Sequence, residues 1–544
     1  MSVDRIIKGN AIFDSIHKEP FKGYVAIEKN KILEVGRGRA PEHLSEERAE
    51  VIDAGDRLVM AGFHDNHVHL IMAGLFQVYV NLLTAKSEEE AALMVKTAEE
   101  KRPTDSQWIY GFCWYHVFWD KKELPTKKSL DQYFPHRPVF LLNWEAHGAW
   151  VNSKALELCG IDRNTPDPFG GRIERDEDGE PTGVLHEAAT GLATKFAMDF
   201  TAEQERELLR AFMDYANAYG ITSVTDVQPY FHGNMGSLDV YHAMDLKNEL
   251  TIRIHAAPDL LGDLDEVEKW REEYRSEKVR VSLLKQFIDG VPTNHTGMLL
   301  EEYEDCPGEL GICLNDLESI KQAIPEAHKR GFSVKLHSCG DGSLQTCVDY
   351  YENAIKAYGK NECRHAIEHC ELAAASDIRR MGELGIVPSI QPDAIGMTEA
   401  FEDNPYLETL GRARAGTTWP FKDLLEATGV IALGSDCPVM DPNPFLQIYR
   451  GVTRLHNDGK PEGGWNPAQK LSLYDLLRGY TWGCAYSVGR EQELGTLEKG
   501  KFADIVILDR NLFAAPREDW QSGKVDMTIM DGKVVYQRGK EELE

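Results

Sequence analysis

Residues 62–70 read Gly62-Phe63-His64-Asp65-Asn66-His67-Val68-His69-Leu70 and follow an apolar run that starts at Leu58. Side chains i and i+2 of a β-strand share a face. His67 and His69 therefore project together from the end of a buried strand. Neutral imidazole ligates Zn2+ and similar ions, so this pair is half of a metal site. His-x-His alone is a common accident, and the rest of the chain decides its meaning.

Four further polar residues sit in or at the ends of apolar strands. Phe332–His337 ends in His337, Arg364–His369 in His369, and Val430–Asp436 in Asp436, while Lys285 lies inside Val281–Gly290. A polar residue at the C-terminal end of a barrel strand is more often catalytic than structural. Each alone could be a satisfied core residue. Four histidines, an aspartate and a buried lysine converging on one face are not accounted for by packing alone. Lys285 is the odd member, because burial and a nearby cation both oppose an ammonium. It must be neutral, paired with Asp289 or Glu368, or converted by CO2 into a carbamate, an anionic oxygen donor able to bridge two metals.

The elements that must position these groups alternate strand and helix, the pattern of a parallel sheet. Eight candidate strands end near His69, Asp226, His255, Asp289, His337, His369, Gln391 and Asp436. Helical stretches cover Thr201–Tyr219, Asp316–Lys329, Ser343–Tyr358, Ala373–Leu384 and Phe421–Ala427. This pattern predicts an α/β fold, a (β/α)8 TIM barrel over residues 61–489. A long insertion at about 75–218 follows the first strand, where a barrel builds its catalytic face. It contains a helix at Glu88–Lys101, strands at Trp108–Phe112 and Val139–Asn143, and a loop from Asn164 to Gly183. Residues 1–60 and 490–544 are strand-rich, with an Asp531-Gly532 hairpin turn. Each is too small to fold alone, and together they are expected to form one split β domain.

The chain has 544 residues, 42% hydrophobic and 27% charged, with a formal net charge of −29. That charge argues against binding nucleic acid or anionic membranes. No export signal is visible at the N-terminus, and no apolar run approaches the ~20 residues of a membrane span. Ten cysteines without a Cys-x-x-Cys pair read as reduced thiols of a cytoplasmic protein. Cys339, Cys363 and Cys370 lie near candidate ligands and are candidate soft donors, but each has a better-placed neighbour.

In this order, His67-Val68-His69, Lys285, His337, His369 and Asp436 resemble the metal-dependent amidohydrolase superfamily. Five phrases are similar to its N-substituted formamide deformylase-like (YtcJ-like) branch: His147–Leu156, Gly183–Ala188, His337–Asp341, Ile367–Leu372 and Gly434–Val439. The tail Gly495–Asp504 resembles the superfamily's return to its β-sandwich. The resemblance implies a TIM barrel, a split β-sandwich domain from the two termini, and one or two divalent metals, commonly Zn2+. His67, His69 and Asp436 would hold one metal. His337 and His369 would hold the other, with carboxylated Lys285 bridging. His64 stands where such proteins usually carry an aliphatic residue. Val291–Thr296 is unlike the usual pattern and brings His295 forward as a candidate substrate contact.

The implied reaction is hydrolysis of a C–N bond (amide, N-formyl or carbamate) of a small organic substrate by metal-activated water. The resemblance gives Asp436 a second role, as general base and then acid. His147 is either an oxyanion donor or substrate clamp, or packs against Trp144 and Trp150. Trp114 and Trp119 belong to an aromatic cluster that is either ordinary core or the wall of a lipophilic substrate pocket. The alternatives are an ester or lactone hydrolase or a deaminase on the same site, or a non-catalytic binding protein, since fold alone does not establish activity. The expected partners are a small amide-like substrate and a second copy of the chain in a homodimer.

Overall fold

The computed structural model describes residues 3–44, 49–101, 106–144, 147–168, 170–229 and 235–539. The chain divides into two compact units: 1–69, 213–228 and 241–544 form one, and 70–212 with 229–240 form the other.

The first unit holds every candidate metal ligand. Its parallel strands form two sheets. One is Val279–Val281, Arg253–Ala257, Ile221–Val227 and Phe63–Val68; the other is Leu283–Phe287, Ser333–Ser338, Ala366–His369, Val387–Ile390 and Ala432–Leu433. Val279–Val281 and Leu283–Phe287 are one strand interrupted at Ser282. Parallel bridges join the sheets at both edges, Val68 to Cys437 and Asp259 to Lys285. The strands are almost wholly buried, which is why they read as near-continuous apolar runs. The intervening helices start on side-chain caps where the sequence offers them. Asp316 accepts from the backbone of Glu318 and Ser319 ahead of Leu317–Lys329, satisfying donors that have no partner inside the helix.

Strands from both chain ends meet in a single seven-stranded sheet. Glu50–Ala61 pairs with Arg5–Phe13 on one side and with Ile505–Leu508 on the other. The Asp531-Gly532 turn closes the final hairpin with positive φ at both residues, 55° and 73°. That conformation matches the twist of paired strands. Arg253, fully buried, ties this sheet to the parallel strands through Asp504 at 2.6 Å and Asp531 at 3.1 Å.

The second unit carries a six-stranded mixed sheet. The loop expected over residues 164–183 is in part ordered sheet: Gly171–Arg175 and Pro181–Glu187 pair antiparallel. The Asp- and Gly-rich stretch between them, with Gly179 at φ 80°, is only the hairpin turn. Phe169 lies outside the described residues. Trp114 (2% exposed) and Trp119 (4%) are in this unit's core, edge-on to Trp150, and Trp114 donates to the Leu141 carbonyl. Both contribute packing there, since aromatic rings supply large buried areas. Among the described residues, no helix is long and apolar enough to cross a membrane.

Candidate metal centre

Two groups of donors lie in the first unit. The donor atoms of His67, His69 and Asp436 fall within 4.8 Å of one another, as do those of His337, Cys339 and His369. Asp436 Oδ1 is 3.1 Å from His67 Nε2 and 3.5 Å from His69 Nε2. Ligands at ~2.0–2.2 Å from one tetrahedral ion stand about 3.4 Å apart, so these spacings suit a shared cation. The His67 ring lies 5.2 Å from that of His369, which lies 4.3 Å from that of His337.

The backbone is bent to make this possible. His369 and Asp436 adopt positive φ, 71° and 62°, an unusual region for residues with a Cβ and one that clusters at functional sites. At His369 the bend breaks strand alternation, so Glu368 and His369 both serve the site. Gly434 is required beside it, because a Cβ there would stand 2.7 Å from the His67 backbone. Asp65 anchors the far strand by accepting from Ser435 N at 2.9 Å and Ser435 Oγ at 2.6 Å.

His67 lies between two carboxylates, with Nδ1 3.0 Å from Glu368 and Nε2 3.1 Å from Asp436. Neither ring nitrogen has an aligned hydrogen bond. A neutral imidazole has one proton, so one of these contacts needs a positive charge. Either the ring is protonated or a cation lies at Nε2. The second arrangement is the usual one for a metal-ligating histidine, whose other nitrogen faces a carboxylate. Without a metal, burial disfavours the His67 cation, but Glu368 and Asp436 outweigh it and raise its pKa. Burial also opposes the Asp436 anion, yet the neighbouring histidines hold its carboxyl well below the usual range. Burial lowers the pKa of the remaining rings: His69, His369 to about 3, and His337 well below its ordinary value. Neutral imidazole and ionised carboxylate are the states that bind a metal.

Lys285 and Lys335 are paired across neighbouring parallel strands, both fully buried. Two adjacent buried ammoniums are mutually destabilising. Lys335 is neutralised by Glu368 at 2.7 Å and also donates to the Asn66 carbonyl at 2.6 Å. Lys285 Nζ has no hydrogen-bond partner. Burial lowers its pKa to about 8, and Lys335 pushes the same way. The two acids considered as its partners are engaged elsewhere. Glu368 faces Lys335 and His67, and Asp289 accepts from Ser343 Oγ and from the backbone of Met298, Cys339 and Gly340.

The other sequence candidates have partners of their own. His147 precedes the strand Gly148–Val151 of the second unit and pairs with Glu187 at 2.7 Å. His295 contacts Asp305 at 2.9 Å and packs on Tyr303. His64 stacks on His255 with ring centroids 5.0 Å apart and contacts Thr225 Oγ1. Three residues outside the ligand set expected from sequence belong to the centre: Glu368, Lys335 and Cys339. Strand parity is the signal that marks Lys335, which precedes His337 by two.

A model of the amidohydrolase family matches residues 50–536. Protein LONG AFTER FAR-RED 3 of Arabidopsis thaliana is 32% identical over 98% of this chain and 91% of its own length. The N-substituted formamide deformylase of Arthrobacter pascens is 28% identical over 90% of each chain. The crystal structure of an uncharacterized metal-dependent hydrolase from Pyrococcus furiosus superposes with a TM-score of 0.76. It is 26% identical and covers 93% of this chain and 99% of its own.

Proposed function

Since the chain belongs to the amidohydrolase family, we propose that it hydrolyses a C–N bond (amide, N-formyl or carbamate) of a small organic substrate at a divalent-metal centre. The observation that carries this reading is His67 held between Glu368 and Asp436, with His69 completing the donor group. The ring of parallel strand pairing supports a (β/α)8 barrel, and the sheet shared by both termini supports the split β domain. The imidazole-rich donor set favours zinc. The free cysteines among the described residues suit a reducing, cytoplasmic compartment.

A metal held here supplies Lewis acidity and lowers the pKa of a water from 15.7 towards ~7. His67, His69 and Asp436 would hold one ion, and His337 and His369 a second. Glu368 keeps the proton of His67 on Nδ1 and frees Nε2 as a donor. Asp436 Oδ1 takes a proton from the attacking water and returns it to the leaving nitrogen. Lys285 is suited to carboxylation, because CO2 combines only with the neutral amine. Burial lowers its pKa to about 8, so near neutral pH far more of this amine is neutral than of an ordinary lysine. The carbamate would add an anionic oxygen donor to the metal centre.

The test is a panel of N-formyl amines, N-acyl amines, carbamates, esters, lactones and ring-amino compounds, assayed by product. Metal-dependent release of a free amine with its acid is expected. Alcohol release alone would point to an ester or lactone hydrolase, and ammonia release alone to a deaminase. No turnover by fully metal-loaded protein across the panel would favour a binding protein.

A further inference from the structure

We propose that the Cys339 thiolate is a protein ligand of the second metal, alongside His337 and His369. This rests on the metal-centre reading above and adds a donor that the sequence reading raises but sets aside for its neighbours. Cys339 Sγ lies 3.4 Å from His337 Nε2. A sulfur at ~2.3 Å and a nitrogen at ~2.0–2.1 Å from one tetrahedral ion stand about 3.6 Å apart. His369 Nε2 is buried without a hydrogen-bond partner, and the three donor atoms all lie within 4.8 Å of one another.

The chain holds Cys339 in this position firmly. Its backbone N–H donates to Asp289 Oδ1 at 3.1 Å, and the next N–H, of Gly340, donates to Oδ2 at 2.9 Å. Gly340 is compulsory, since a Cβ there would lie 1.9 Å from the Met298 carbonyl oxygen. Cys363 and Cys370 are turned elsewhere, each with its sulfur against a backbone carbonyl, His328 at 3.8 Å and Ile367 at 3.3 Å. On metal binding the Cys339 S–H bond breaks, an S–metal bond forms, and the proton leaves to water; nothing is oxidised or reduced. A soft thiolate selects zinc-like ions over Mg2+ or Mn2+. Three protein donors leave a tetrahedral ion one open position, the one that carboxylated Lys285 would occupy.

The test is Co2+ titration of the full, chelator-stripped chain, followed by absorption. A near-ultraviolet sulfur-to-cobalt charge-transfer band is expected in the wild type and in Cys363→Ser, and is expected to vanish in Cys339→Ser. X-ray absorption of cobalt-loaded wild type needs no variant and should show a sulfur neighbour at ~2.3 Å. Cobalt uptake without the band or the sulfur neighbour, or a band unchanged in Cys339→Ser, overturns the thiolate ligand and leaves the hydrolase reading standing. Failure of the wild type to take up cobalt at all overturns both.

Discussion

Asp436→Asn, assayed with metal in excess, is expected to lower kcat by roughly 10²–10⁴-fold, the usual worth of a positioned acid–base group. The fold should survive. Asparagine has the size and shape of aspartate and tolerates positive φ comparably, so the 62° at this position adds no new strain. The hydrogen bond from the backbone N–H of residue 436 to the His67 carbonyl, 2.8 Å, does not involve the side chain. What is lost is the anion that His67 and His69 hold ionised and its ability to accept a proton. A thermal midpoint near wild type with collapsed turnover is the expected combination. Turnover within a few fold of wild type would remove Asp436 from the proton path.

Lys335→Met is expected to cost about 3–5 kcal/mol of stability, the range for breaking a buried ion pair by removing one partner. The Glu368 carboxylate would keep its 0% exposure but lose its contact at 2.7 Å, and the Asn66 carbonyl would lose a donor. Chemical denaturation of the wild type and variant measures this cost. The double variant Lys335→Met/Glu368→Leu separates structure from function. Replacing a whole buried pair by apolar groups is often neutral or stabilising, so stability should return. Metal affinity should not, because His67 Nδ1 has then lost the carboxylate that orients the ring, a change worth about 10–100-fold. Recovery of both would mean that Glu368 has no part in holding the metal.

The strand ends are legible in the sequence because their signal is local. A histidine or aspartate that closes an apolar run of β-branched residues marks the mouth of a buried strand, and His67, His69, His337, His369 and Asp436 all do so. Lys335 carries a weaker form of the same signal. A lone lysine in a strand reads as a solvated edge, and its partner Glu368 is adjacent only through the pairing of His337 with Glu368. Cys339 is masked by His337, which satisfies the strand-end pattern without it. Only the turn pinned by Asp289, fifty residues earlier, shows that the thiol returns to the same point. Trp114 and Trp119 suit a core and a pocket wall equally well by residue type; burial against Trp150 is a tertiary fact. The Gly171–Arg175 hairpin is hidden by a turn composition that spreads over its flanking strands.

The most direct test of the metal-dependent account is elemental analysis of protein purified without chelator, beside Lys285→Ala. About two zinc-like ions per chain are expected, as in two-metal hydrolytic sites, with a sharp fall in the variant. Metal-free protein after saturation with zinc, cobalt or manganese would contradict it.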